Sequence, residues 1–198
     1  MSHPAVTTAP LHPLLAERWS PRGFDAGHRI APAQLTALLE AARWSPSAGN
    51  TQPWRFIVAE RGGAAFGRLV GTLSGNNRRG AGRASALLVV LAETTDPEGK
   101  PRAYGLFDTG QAVAALVTQA QAEGLATHQM GGFDQDAVVA EFGIDPRFSP
   151  VVVVAVGVRQ EEHGLPDDLA VRESAPRVRM PLADLLLTTS SPDLRRTA

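Results

Sequence analysis

The chain has 198 residues, 43% hydrophobic and 20% charged, which bounds it to one domain or at most two with enough apolar surface for a core. With 19 Lys+Arg against 20 Asp+Glu the net charge is -1, so no chain-wide positive field exists to hold nucleic acid or an anionic membrane. Cysteine is absent, which excludes disulfides, thiolate metal sites and a cysteine nucleophile, and any redox chemistry must sit on a cofactor.

The opening MSHPAVTTAPLHP has neither a basic start nor an apolar h-region, and no apolar run reaches membrane-span length, so a cytoplasmic location is expected. Pro4, Pro10 and Pro13 predict an extended arm over residues 1–13, followed by a short helix from Leu14 to Arg18. Pro32 opens a clearer helix, because Leu35, Leu38, Leu39 and Ala42 recur at helical spacing; Pro46 ends it by forcing Ser45 out of the helical region. A polar loop, Ser47 to Gln52, leads to a strand from Arg55 to Glu60 and a weak helix from Ala64 to Leu73. The glycine-, asparagine- and arginine-rich stretch Gly75 to Arg83 is assigned no element. Ala86 to Ala92 is an apolar strand, and residues 94–101 a polar loop.

The longest helix is predicted from Tyr104 to Glu123, with Val113, Leu116, Val117 and Ala120 as its core stripe and Gly124 as its cap. A strand from Leu125 to His128 precedes Met130-Gly131-Gly132-Phe133. Asp134 is a good N-cap for a helix that turns Val138, Val139 and Phe142 inward and stops at Gly143. Pro150 introduces Val151 to Val158, apolar on both faces and therefore a central strand. The tail from Arg159 is polar until Met180 to Leu187. Trp44 and Trp54 are expected in the core, while Phe107 and Phe133 are weaker candidates to border a substrate site. Strands arriving singly between helices predict a single three-layer α/β/α domain over 1–198, with a C-terminal arm over 160–198. That arm's apolar run, Leu182 and Leu185 to Leu187, suits either a partner subunit or the chain's own domain.

Five segments carry candidate chemistry. In Arg18-Trp19-Ser20-Pro21-Arg22, alternate residues of an extended segment share a side, so two guanidinium groups and a hydroxyl converge as a phosphate would require. Solvated surface arginines are the competing reading. Pro46-Ser47-Ala48-Gly49-Asn50-Thr51-Gln52 is dense in donors and acceptors that suit the edge of a heteroaromatic ring, or ordinary turn chemistry. Gly75-Asn76-Asn77-Arg78-Arg79 is a third such segment. Gly131 and Gly132 let backbone N–H groups face a ligand at a helix start. Arg177 and Arg179 repeat the alternation of the first segment. His3, His12, His28, His128 and His163 show no metal-ligand spacing.

In this order and spacing the segments resemble the nitroreductase family of FMN-dependent oxidoreductases over nearly the whole chain. RWSPRGF, SPSAGNTQPWRFIV, GQAVAALVTQAQAEGLATHQMGGFD and PRVRMPLADLL carry the resemblance, the second most specifically. It implies an α+β fold: a mixed, mainly antiparallel sheet wrapped by helices in an interlocked homodimer. It implies that Arg18, Trp19, Ser20, Arg22, Arg177 and Arg179 hold the FMN phosphate and ribityl chain. Pro46, Ser47, Ala48, Asn50 and Gln52 would lie along the flavin, with Asn50 reaching across the dimer. Asn77 would meet the pyrimidine edge, and Met130, Gly131 and Gly132 would face N5.

No side chain is assigned a catalytic role. NADPH or NADH would pass hydride through N5 to a small-molecule oxidant, such as a nitroaromatic or quinone, by a ping-pong mechanism. Specialised flavin chemistry (fragmentation, dehalogenation or dehydrogenation) and a non-catalytic flavin-binding role are the alternatives. The chain departs from some relatives at Gly131, where they carry glutamate, and near Asn77, where Arg78 and Arg79 stand in place of a lysine.

Overall fold

The computed structural model describes residues 4–160 and 165–188. His3, His163 and residues 189–198 of the expected C-terminal arm lie outside them. Along the chain run α1 (Pro13–Ala16), α2 (Pro32–Arg43), β1 (Trp54–Glu60), α3 (Ala64–Thr72), α4 (Gly75–Ala81) and β2 (Ala86–Glu93). They are followed by α5 (Gly105–Ala122), β3 (Ala126–Met130), α6 (Gln135–Phe142), β4 (Phe148–Gly157) and α7 (Asp167–Ser174).

The strands form one sheet in the order β1-β2-β4-β3, and all three pairings are antiparallel. Among the described residues the sheet is therefore wholly antiparallel, where a mixed, mainly antiparallel one was expected. β2 and β4 lie in the middle, which is why they are apolar on both faces. Leu87 and Val89 of β2, with Val153 and Ala155 of β4, enter a core with Phe66 and Leu69 of α3 and Val138 of α6. Leu88 and Val90, with Val154 and Val156, enter a second core with Leu38 of α2 and Leu116 of α5. Two cores on opposite faces of one sheet give the three layers expected. No helix among the described residues is long and apolar enough to cross a membrane.

Local chemistry sets the element ends. Asp134 caps α6 by accepting from Ala137 N at 2.9 Å, and Gly143 closes it in the left-handed region at φ 61°. β4 begins at Phe148, two residues before Pro150, rather than after it. Pro150 lies opposite Leu91, where the ladder shifts register, so its missing N–H falls at an irregularity. The α5 stripe is rotated from the expected one. Asp108, Thr109 and Ala112 join Leu116, Val117 and Ala120 in the interior, and Val113 is half-buried.

Three expectations need correction. The stretch after Gly75 is helical as α4, although its glycines and asparagines are poor helix formers. Tertiary ties override propensity there. Arg78 donates to Leu73 O at 3.0 Å and to Gly71 O at 2.5 Å, closing the end of α3. Arg79 forms an ion pair with Asp168 at 2.7 Å. The tail read as uniformly polar contains α7, which buries Leu169 completely. Trp44 is 76% exposed, because it follows the last buried residue of α2, Ala42; Trp54, on β1, is buried as expected.

Gly105 begins α5 where a Cβ would lie 2.4 Å from the carbonyl oxygen of Glu93. Gly105→Ala is therefore expected to destabilise the fold by about 1–3 kcal/mol, the usual cost of overpacking against backbone. A urea unfolding midpoint unchanged from the parent chain would contradict this packing.

Candidate functional site

The first arginine segment runs beside the free edge of the sheet. Arg18 Nη1 donates to Ser20 Oγ at 3.3 Å, and Ser20 Oγ donates to Gln129 Oε1 of β3 at 3.2 Å. Phe24 then forms a bridge with Arg159, just beyond β4. Trp19 is half-buried under the Arg159 guanidinium, 5.8 Å from its ring centroid. Burial, then the like charges of Arg177 and Arg179, lower the pKa of Arg18. Burial and Arg179 do the same to Arg177, which donates to Ala16 O at 2.7 Å. The fold thus draws two ends of the chain into one positive cluster. Arg22 points its influence elsewhere: with burial, its charge depresses the pKa of His128, while a hydrogen bond to Pro21 opposes the shift.

The loop before β1 is conformationally strained. Gly49, Asn50 and Gln52 have φ of 59°, 55° and 47°. For residues with a Cβ the left-handed region costs on the order of 1–2 kcal/mol, less for Asn than for Gln. Ser47 Oγ accepts from Gln52 N at 3.0 Å, and Arg55 holds Gln52 O at 3.0 Å. Ala48 N donates to Asp108 Oδ2 of α5 at 3.0 Å. Pro46, Ala48, Asn50 and Gln52 are exposed, and Ser47 is half-buried.

The third region joins the end of β3 to α4. The Gly132 carbonyl accepts from Ser74 N at 3.1 Å, Ser74 Oγ at 2.8 Å and Asn77 Nδ2 at 3.0 Å. A Cβ at Gly132 would stand 2.7 Å from Ser74 Oγ and 2.8 Å from Asn77 Nδ2, so any larger residue must displace the two side chains that bond its carbonyl. At Gly131 a Cβ would meet nothing within 4 Å; the turn is open on that side. Met130 is 2% exposed and its side chain belongs to the core, which leaves only its backbone to meet a ligand. Phe133 packs partly against the same core, whereas Phe107 is 67% exposed. Arg78 and Arg79 are both engaged, the first by α3 carbonyls and the second by Asp168.

Four polar side chains that hold these segments were not singled out from sequence. Asp108 secures the strained loop. Gln129 meets Ser20. Buried Glu173 of α7 accepts from Arg22 N at 2.7 Å, and Asp168 of the same helix anchors Arg79. Asp108 sits on the inward face of a helix pattern, an unusual place for a carboxyl group and the one legible signal among the four. The others lie too far along the chain from their partners for spacing to reveal them.

The model of the nitroreductase family matches residues 15–70 and 64–158. An oxygen-insensitive NAD(P)H nitroreductase of Salmonella typhimurium is 27% identical over 216 residues, covering 86% of this chain and 95% of its own. An uncharacterized 15.4 kDa protein of Mycolicibacterium smegmatis is 37% identical over 141 residues, covering 68% of this chain and 95% of its own. Among solved structures, one described as an oxidoreductase containing FMN is 38% identical, superposes with a TM-score of 0.87 and covers 96% of each chain.

His128 makes the assembly of this edge sensitive to pH. Its pKa is lowered from 6.5 to about 4, chiefly by burial and then by Arg22. Between those values the unfolded chain takes up a proton that the folded chain refuses. The stability involved is full above pH 6.5 and is lost as pH falls towards 4. The stability gap between wild type and His128→Gln should shrink by about 2–3 kcal/mol from pH 7 to pH 4. Urea unfolding at the two pH values measures it, and a constant gap would remove His128 from the account.

Proposed function

The chain belongs to the nitroreductase family, and from that premise we propose that it is an FMN-dependent oxidoreductase carrying hydride from NADH or NADPH to a small acceptor such as a nitroaromatic or a quinone. Bound FMN supplies a ring that accepts and releases hydride, so the protein needs neither a nucleophile nor a redox-active side chain. The observation that carries the reading is the gathering of Arg18, Arg177 and Arg179 into one cluster, where burial and then the neighbouring like charges lower the pKa of the first two. A phosphate dianion relieves that repulsion and matches the guanidinium fork. The residues present therefore fit the group.

Around that anchor the side chains orient and enclose. Ser20 brings a hydroxyl next to Arg18 for the phosphate or ribityl chain. Arg22 adds a further cation, with its backbone fixed by Glu173. Ser47, Asn50 and Gln52 offer polar groups along the ring. Asn77 contributes at the pyrimidine edge; an amide has a second hydrogen and a carbonyl oxygen beyond the contact to Gly132. The open side of Gly131 leaves room for the ring to approach its backbone. Preorganised donors of this kind hold a ring in place and favour added negative charge on it.

The same reading makes the protein a homodimer. Leu11, Leu15, Val178, Met180, Leu185 and Leu187, from the two ends of the chain, all expose apolar side chains, the kind of surface that a second subunit covers. Leu185→Asp is expected to shift the protein from dimer to monomer in light scattering after size exclusion. A monomeric wild type would overturn the dimer.

The purified protein should show flavin absorption that bleaches under anaerobic NADH or NADPH, the faster nucleotide being the donor. A colourless protein that takes up no added FMN would overturn the function. Arg18→Ala should weaken FMN binding by about 1.5–3 kcal/mol, the loss of a charge-assisted contact, with reduced salt dependence. Fluorescence titration of FMN at two ionic strengths checks both effects.

A further inference from the structure

We propose that Asp108 is the latch that holds the strained loop Ser47–Gln52 in the shape that meets the flavin ring; the proposal rests on the flavin reading above. The loop combines three positive φ values within four residues, two of them at residues with a Cβ. Such a shape persists only when surrounding contacts impose it. The turn from Ser47 to Gln52 is closed by its own short-range bonds, Ser47 Oγ to Gln52 N and Gln52 Nε2 to Asn50 O. Arg55, three residues on, holds its far end. Among the described residues, the hydrogen bond from Ala48 N to Asp108 Oδ2 is the one that reaches the loop from a distant part of the chain, 60 residues away.

Asp108 is built for the task. It is 2% exposed on α5, a helix that packs against α2 and so fixes the loop's point of departure. It stands in the first turn of α5, where the helix dipole favours a carboxylate. A buried carboxyl group needs a donor, and the loop backbone provides one. Ala48 is followed directly by the left-handed Gly49 and Asn50. Release of its N–H lets the strained residues return to negative φ and turns Asn50 and Gln52 away from the ring. Asp108 is thus a positioning residue, acting through the loop without touching the cofactor.

Its neighbour provides the control. Thr109 is fully buried on the same helix, and among the described residues its Oγ1 has no hydrogen-bond partner. Thr109→Val therefore changes a buried residue without releasing the loop, and FMN affinity should stay at the wild-type value.

The test compares full-length wild type, Asp108→Ala, Asp108→Asn and Thr109→Val. Hydrogen exchange of the Ala48 amide is read without flavin, and FMN affinity by fluorescence titration. Asp108→Ala should exchange Ala48 at least about tenfold faster, because its hydrogen bond is gone, and raise the FMN Kd about tenfold. The visible circular dichroism of whatever flavin it binds should change, since the ring loses its neighbours. Asp108→Asn keeps an acceptor oxygen but loses the charge that strengthens the bond, so it should show the same two changes at about threefold and carries the test if the alanine variant does not fold. Wild-type exchange in the alanine and asparagine variants overturns the latch, and so does fast exchange with unchanged FMN affinity. A wild type that binds no FMN overturns the flavin reading itself, whereas equal FMN binding by wild type and Asp108→Ala overturns the latch alone.

Discussion

Everything in this molecule is arranged around the central antiparallel pair β2–β4, buried on both faces. Leu87, Val89, Val153 and Ala155 on one side and Leu88, Val90, Val154 and Val156 on the other leave no face of that pair to water. Burial on two sides requires a helical layer on each, so α3 and α6 cover one face and α2 and α5 the other. Polar chemistry is thereby expelled to the strand ends and the sheet edge. That is where the candidate segments lie: 47–52 before β1, Gly131–Gly132 after β3, and 18–24 along β3.

Loops expelled in this way have little apolar surface to hold them. They are held by polar side chains from elements distant in sequence, each bonded to a loop backbone group. Asp108 takes Ala48 N, Glu173 takes Arg22 N, and Ser74 and Asn77 share the Gly132 carbonyl. Buried polar groups require partners, so the demand of the side chain and the demand of the loop are met together. Conformations that asparagine and glutamine would abandon in isolation are maintained at Asn50 and Gln52.

The electrostatics are local in the same sense. A net charge of -1 describes the chain as a whole but not its surface. Burial and then the nearby charges of Arg177 and Arg179 lower the pKa of Arg18. Arg79, equally cationic in sequence, is neutralised by Asp168.

Sequence alone determined the layered core, because periodicity is a property of neighbouring residues: the α2 stripe, the doubly apolar β4 and the Asp134 and Gly143 caps of α6 are local signals. It also made the candidate segments legible, through alternation at Arg18 and Ser20 and glycine at Gly131 and Gly132. Only the tertiary structure decided that Gly75–Ala81 is a helix, since Arg79 and Ser74 tie it to Asp168 and Gly132, far along the chain. It alone turned Trp44 to solvent, placed α7 within the polar tail and selected Asp108, Gln129 and Glu173 as supports. The three supports depend on hydrogen bonds spanning roughly 60 to 150 residues, which no local pattern encodes.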